Sequence, residues 1–355
     1  MPSRSKSVAR FARPALVALL LAACVWALIA SWDDVTDALP RVGAVRFVLS
    51  TLAAIGAGIA LAIGWRILLV DIAGDDLEVA RGRLGYTEAT AVFSASQLGK
   101  YIPGSVWPVV AQMSLARRHG ISRITIVAAF VTQMLLLVVT AVVTAALTLP
   151  WVDAEELRTR WWLLVIAPAV CLVLVPSVQR RLLALASRAL KRPLAVAFPG
   201  PRAMAGAVLA SVLTYVLFGV HLAVLASPMS PDGDVRVLVQ SIGAFALAWA
   251  AGFVVIFAPA GLGVREVVLK LTMGSVLVSA DATAVAVLSR TSLVIADLAL
   301  GVFGIAVVAL GRRRGDGAGA ELAATEHHEH VGRGLAVGRL DVGDEPEGED
   351  LARHQ

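Results

Sequence analysis

Two short stretches concentrate the polar chemistry of this chain. The first reads Gln97-Leu98-Gly99-Lys100-Tyr101-Ile102-Pro103-Gly104-Ser105-Val106-Trp107, and the second Pro259-Ala260-Gly261-Leu262-Gly263-Val264-Arg265-Glu266. Each sets proline, glycine and charge inside a run otherwise apolar enough for a bilayer. Interrupted apolar segments in two halves of a membrane protein point to a binding site. In the first, Pro103 lacks an amide hydrogen and turns Ile102 away from helical geometry, so a helix must open there. Gly104 lets the backbone reverse. The opening leaves carbonyls unpaired on one side and amides on the other, and Gln97, Ser105 and Gln112 can pair with them or with a ligand. Lys100 adds a cation and Tyr101 an interfacial aromatic. Amides at a helix N-terminus beside a cation suit a phosphate. The competing reading is a kink satisfied internally, with Lys100 reaching to the membrane interface.

In the second stretch Pro259 ends a helix, and Gly261 and Gly263 allow a tight turn. Arg265 and Glu266 then fall in the first turn of the next helix. Glu266 suits the positive end of that helix dipole, and Lys270 stands four residues on, where it can pair with it. Read structurally, this is a capped helix start with a local ion pair. Read functionally, Arg265 binds an anionic headgroup while Glu266 orients it or exchanges a proton. Arg290 and Asp297 sit seven residues apart within a later apolar run, so they share one helix face. Each charge near the centre of a membrane helix costs about 2.5–3.5 kcal/mol on insertion scales. Both must therefore face the bundle interior, as an interhelical ion pair or as the lining of a polar pathway. Arg46 and Arg66, near the ends of their apolar run, are expected to snorkel.

Other polar groups look like chemistry and are read more plainly. Asp232-Gly233-Asp234 matches the Asp-x-Asp of metal-dependent glycosyltransferases, but its short loop suits solvated turn residues. Glu326-His327-His328-Glu329-His330 lies in a Gly- and Glu-rich tail that cannot fix a coordination geometry, so no metal site is expected. Cys24 and Cys171 both lie within apolar blocks, which gives neither a disulfide framework nor Cys-x-x-Cys chemistry. No Ser/His/Asp or Cys/His spacing suggests a catalytic residue. The Gly261-Leu262-Gly263 pair follows an apolar helix and not a strand, so no nucleotide or other cofactor is expected.

The elements that must position these groups are membrane helices. The chain is 58% hydrophobic and only 16% charged, and its mean hydropathy is +0.79; soluble domains are nearer half apolar and a quarter charged. A bilayer leaves no water for backbone groups, so each apolar block must be helical. The predicted class is all-α, a polytopic protein with about eight transmembrane helices. These cover 14–31, 44–70, 124–149, 161–176, 203–226, 236–257, a short 264–279, and 283–310. The first break, 91–116, has arms of about 15 Å each. Neither can cross a core of about 30 Å, so a re-entrant hairpin is expected. The apolar run after Arg4, Lys6, Arg10 and Arg13 continues past Cys24, as in an uncleaved first helix and not a lipoprotein signal.

Lys and Arg placement sets the expected orientation. With the N-terminus inside, only Arg41, Arg158, Arg160 and Arg236 fall on the outer side, while nineteen Lys and Arg up to Arg314 fall on the cytoplasmic side. Both termini are therefore expected in the cytoplasm, with residues 1–13 a basic N-terminus and 311–355 a disordered tail. Residues 178–192 carry apolar positions at helical spacing opposite a basic face, as in an interfacial helix. The net charge of +5 is spread between apolar blocks, so anionic lipid is the expected neighbour and not nucleic acid. A weak repeat, two helices followed by a break and another helix, occurs in each half.

The run from Ala95 to Trp107, with Tyr101-Ile102-Pro103-Gly104, resembles the first motif of the lysylphosphatidylglycerol synthase transmembrane-region family. Pro259 to Glu266 is similar to that family's Pro-Gly-Gly-x-Gly-x-Arg-Glu motif, with Ala260 where the family often has Gly. The resemblance covers roughly residues 10–312. It implies an integral membrane domain of about eight helices that acts as a flippase for aminoacylated phospholipid, and a stand-alone member without the soluble aminoacyltransferase domain. It also implies links to glycosyltransferases that handle polyprenyl-linked sugars. The expected function is thus movement of an anionic, aminoacylated or polyprenyl-phosphate-linked lipid between leaflets of the cell membrane. Lys100, Arg265 and Arg290 would hold the phosphate, and Glu266 and Asp297 would balance their charge. Two alternatives stand beside it. One is an intramembrane transferase with Glu266 or Asp297 as base. The other is a non-transporting partner of a glycosyltransferase or aminoacyltransferase.

Overall fold

A computed structural model describes residues 32–74, 84–101, 106–116, 120–149, 197–254, 261 and 263–338, with the single positions 172, 178, 181, 185 and 188. The spans expected over 14–31 and 161–176 (Leu172 apart), most of 178–192, both cysteines, and Pro103, Gly104, Ser105 and Pro259 lie outside these residues.

The described elements are helical, with no strand among them. In order they are α1 (Trp32–Val42), α2 (Ala44–Ile72), α3 (Tyr86–Gln97) continued by a 3₁₀ turn (Leu98–Tyr101), α4 (Trp107–Ala116) and α5 (Arg123–Thr148). Then come α6 (Pro201–Ala226), a 3₁₀ turn (Ser227–Met229), α7 (Asp234–Val254), α8 (Val264–Met273) and α9 (Ser279–Gly338). Among the described residues, five helices are long and apolar enough to cross a membrane: Ala44–Ile72, Arg123–Thr148, Pro201–Met229, Asp234–Phe253 and Ser279–Gly311. Side chains exposed on their outer surfaces, such as Val45, Leu52, Leu147 and Leu209, suit lipid contact. The chain divides into two compact units, Met1–Ala306 and Val307–Gln355; everything below concerns the first. The helix expected over 283–310 begins earlier, at Ser279, and its assigned length runs to Gly338. The short helix expected over 264–279 ends at Met273. The amphipathic α1 was not expected, because its five polar or charged side chains between Asp33 and Arg41 hide its apolar face in the linear sequence.

Small residues let the spanning helices pack closely. Lipid gives no hydrophobic reward for helix association, so close backbone approach and dispersion do that work. Helices α2 and α6 run antiparallel: a Cβ on Gly56 would touch Leu217, one on Gly64 would lie 3.2 Å from Ala210 Cβ, and one on Gly206 would touch Ile67. Where α6 meets α7 the approach is closer, since a Cβ on Gly219 would lie 2.7 Å from Ile242 Cα. The first break is a pair of short packed helices, α3 and α4. Their twelve and ten residues give about 18 and 15 Å of helix, too short to span. Gly99 closes the hairpin, because a Cβ there would fall 2.9 Å from the Pro108 nitrogen. Helix α9 lies against α3, where a Cβ on Gly301 would strike Leu98 and one on Gly304 the Ala91 carbonyl.

Candidate functional site

The two interrupted segments meet at one cavity of about 440 Å³. From the first come Ser94, Gln97, Lys100 and Tyr101; from the second, Gly261, Arg265 and Glu266; from α9, Ser289, Arg290 and Asp297. Residues 290 and 297 face the same side of their helix, as their spacing predicts. Gly263 is the N-cap of α8 and stands outside the lining. Gln112 is fully buried in α4, also outside the lining, and neither end of its amide has a partner among the described residues.

Most of the charge in the cavity is paired across elements. Lys100 Nζ donates to Asp297 Oδ1 at 2.8 Å and lies 2.7 Å from Oδ2. Tyr101 Oη donates to Oδ2 at 2.6 Å. Arg290 donates to Glu266 Oε1 at 2.5 Å. These pairs correct one expectation. Glu266 pairs with Arg290 of α9 and not with Lys270, its neighbour four residues on; α8 turns Lys270 to the exposed side. Lys100 is held by Asp297, one of the two carboxylates expected to balance the cations. Both pairs tie a broken segment to α9. Their side chains keep between 17% and 33% exposure, which leaves them reachable from the cavity.

Arg265 differs from the other cations. It has no hydrogen bond and no ion pair among the described residues. Its guanidinium carbon lies 4.9 Å from the centre of the Phe245 ring, and Phe245 stacks on Phe218 at 4.4 Å. A cation on an aromatic face gains up to about 2 kcal/mol when desolvated, and its in-plane N–H donors stay free. Two glycines form the slot for its stem. A Cβ on Gly252 of α7 would lie 2.8 Å from Arg265 Cγ, and one on Gly261 would lie 2.9 Å from Cδ. Gly261 and Gly263 have φ of 72° and 80°, a region side chains other than glycine rarely adopt, so the turn also requires them. Three cations and two carboxylates line the cavity, and the excess positive charge is that of Arg265.

A polar seam adjoins the cavity that the sequence reading missed. His221 of α6, fully buried, joins Ser50 Oγ of α2 at 2.7 Å through Nδ1 and Ser289 Oγ of α9 at 2.8 Å through Nε2. Thr51 and Ser292 link α2 and α9 again at 2.9 Å. The signal available in the sequence was a single histidine inside an apolar span, with serines at matching depth in two others. Gly252 and Ser94 were missed as well, because neither departs from the composition of its helix. Asp232 lies in a turn, where its backbone N–H donates to Ser230 Oγ at 3.2 Å and its carboxylate pairs with Arg236 four residues on at 3.1 Å. No group of three or more metal-ligating side chains occurs among the described residues. Arg66 does not snorkel freely: it donates to the Leu84 carbonyl at 3.0 Å and covers the Tyr86 ring.

The rest of the lining is apolar, including Phe130, Val131 and Met134 on α5 and Trp249 and Phe253 on α7. Val131 and Phe253 are 48% and 42% exposed, so the apolar wall reaches the outer face of the bundle. A charged end and an apolar end in one cavity fit an amphiphile.

Apolar helical spans around a charged interior cavity fit a multi-pass membrane protein, and its lipid-related role follows from its family. Residues 15–301 match the sequence profile described as the lysylphosphatidylglycerol synthase TM region, and the chain belongs to that family. No curated protein matches it closely enough to be informative.

Proposed function

We propose that this chain binds an anionic lipid through its phosphate-bearing headgroup and carries that headgroup between the leaflets of the cell membrane, with both termini in the cytoplasm. Arg265 carries the reading: a cation with no ion pair among the described residues, in a cavity whose other charges are paired. A half-buried cation without an ion pair is incompletely compensated, and a phosphate would neutralise it with charge-assisted bonds. Sites for small ligands measure about 300–1,000 Å³, so 440 Å³ suits a headgroup and not two acyl chains. The chains would stay in the bilayer beyond Val131 and Phe253. An amide or hydroxyl crossing bare hydrocarbon unpaired costs about 4–8 kcal/mol; the cavity supplies hydrogen-bonding partners. The lipid would be a phospholipid, an aminoacylated phospholipid or a polyprenyl phosphate, moved down its own gradient or with another.

Glu266 Oε2, buried and without a hydrogen bond among the described residues, favours one second reading, in which it serves as the base of an intramembrane transferase. Reconstitution into liposomes with labelled phospholipid in one leaflet separates these readings. Protein-dependent loss of asymmetry, absent in a folded Arg265→Gln variant, supports the flippase. Chemical change of the lipid supports the transferase. Neither outcome, together with co-purification of a glycosyltransferase or aminoacyltransferase, leaves a non-transporting partner.

A further inference from the structure

The two interrupted segments reach the cavity from opposite faces of the membrane. Helix α8 leads straight into α9 and so lies along its Ser279 end, where Glu266 meets Arg290. Helix α3 lies along the later part of α9: Ala91 stands against Gly304, Leu98 against Gly301, and Lys100 reaches Asp297. Helix α5 follows α4 and therefore starts on the α3–α4 face. Helix α6 ends and α7 begins on the Ser279 face, where Ser230 donates to the Val276 carbonyl.

Only one wall of this cavity comes to the surface. Among its lining residues, Val131 of α5 and Phe253 of α7 alone are exposed. These antiparallel helices are sealed towards the Ser279 face. A Cβ on Gly243 would lie 2.8 Å from Leu149 Cγ, and Leu137, Ala141 and Ala145 share a buried cluster with Ala246 and Ala250. Tyr215 Oη donates to the Leu137 carbonyl at 2.9 Å and fixes α6 to the same seam. Past Leu137 and Ala250 the small residues end, and Phe130, Val131 and Phe253 line the cavity instead. Val131 stands eight residues into α5, about 12 Å, within the roughly 15 Å that one leaflet gives to the hydrocarbon core. Phe253 lies nineteen residues along α7 from the other face, about 28 Å, and so falls in the same leaflet.

We propose that the gap between α5 and α7 is a lateral portal that binds an acyl chain against Phe130, Val131 and Phe253, and that it opens to one leaflet only, the one holding the α3–α4 hairpin. The inference rests on the lipid reading of the cavity and adds the route and the side of loading. The occupant is a hydrocarbon chain: the gap is apolar, lies at hydrocarbon depth, and is continuous with a cavity that holds a headgroup and not two acyl chains. The sealed half of the α5–α7 seam gives the other leaflet no such opening. With the termini in the cytoplasm, loading is from the cytoplasmic leaflet.

Phosphatidylglycerol with a diazirine midway along one acyl chain tests this, at trace level in phosphatidylcholine vesicles that hold the full-length protein in known orientation. Irradiation labels what the chain touches. Peptide mapping then compares Val131 and Phe253 with Leu209, exposed eight residues into α6 and hence at the same depth in the same leaflet. Bulk lipid meets all three alike. Capture of the headgroup should enrich Val131 and Phe253 over Leu209 roughly five-fold, about 1 kcal/mol of preference. When the probe starts in one leaflet, prompt enrichment should come only from the leaflet of the α3–α4 hairpin. Uniform labelling, or prompt enrichment from the opposite leaflet, would overturn the portal. Val131→Trp, which narrows the gap, should slow leaflet exchange and Leu209→Trp should not, with melting midpoints showing that both fold; equal rates would also overturn it. Arg265→Gln separates the two levels. Undiminished enrichment there would overturn the phosphate reading, whereas Arg265-dependent lipid binding without enrichment would overturn the portal alone.

Discussion

Replacing Gly252 by alanine should disarm the site without removing any charged or polar group. The added Cβ would lie 2.8 Å from Arg265 Cγ, 3.3 Å from Cδ and 3.4 Å from the Gly261 Cα. Carbon atoms rest at about 3.5–4.0 Å, so the arginine stem must move by roughly 0.7–1.2 Å. Gly261 closes the other side of the slot, so the stem has to swing and not simply slide. The stability change is small because its parts oppose. Alanine gains up to about 1 kcal/mol over glycine within a helix, and overpacking costs about 1–3 kcal/mol. The net is about 0–2 kcal/mol of destabilisation. Binding should suffer more: a misaligned guanidinium forfeits charge-assisted hydrogen bonds worth about 1.5–3 kcal/mol, or roughly 10- to 100-fold in lipid affinity. Lipid occupancy and leaflet exchange in liposomes measure the loss, and a melting curve measures the fold. A Gly252→Ala protein with unchanged affinity and exchange would refute the idea that the paired glycines aim Arg265 at the ligand.

The Arg290–Glu266 pair should behave as a structural tie as well as part of the cavity. Glu266→Gln alone should cost roughly 2–3 kcal/mol, less than the 3–5 kcal/mol of a fully buried pair, since its members keep 17% and 26% exposure. Combined with Arg290→Met much of that should return, which a double-mutant cycle by denaturation would detect. His221→Phe should leave Ser50 and Ser289 unpaired and destabilise the fold by about 2–4 kcal/mol. His221→Gln, which can keep one of those bonds, should lose less, and thermal unfolding of both variants provides the comparison.

Much of this architecture was legible in the chain itself. Apolar runs such as Ala44–Ile72 and Arg123–Thr148 must be helices, because lipid offers their backbone no other partner. Proline and glycine between Gln97 and Trp107, and between Pro259 and Glu266, marked where helices had to stop. The seven-residue interval from Arg290 to Asp297 placed both on one face, and the cost of burying them directed that face inward. These inferences rest on local rules of backbone satisfaction, helix period and charge desolvation, which act within a few turns of one helix.

Partnership is a different matter. Local spacing paired Glu266 with Lys270, yet tertiary packing gave it Arg290. The sequence offered Asp297 and Glu266 as charge balance for three cations without saying which meets which, and packing gave Lys100 to Asp297, nearly two hundred positions later in the chain. Arg265 therefore became the exceptional charge only once the other two cations had found carboxylates on different elements. His221, Gly252 and Ser94 carried no mark in the sequence, since a histidine, a glycine and a serine acquire meaning from what stands opposite them. Composition and period fix where a helix lies and which face turns inward. Which charge stays unpaired depends on the approach of helices distant in sequence, and in this chain that approach is set by glycine and alanine at their contacts.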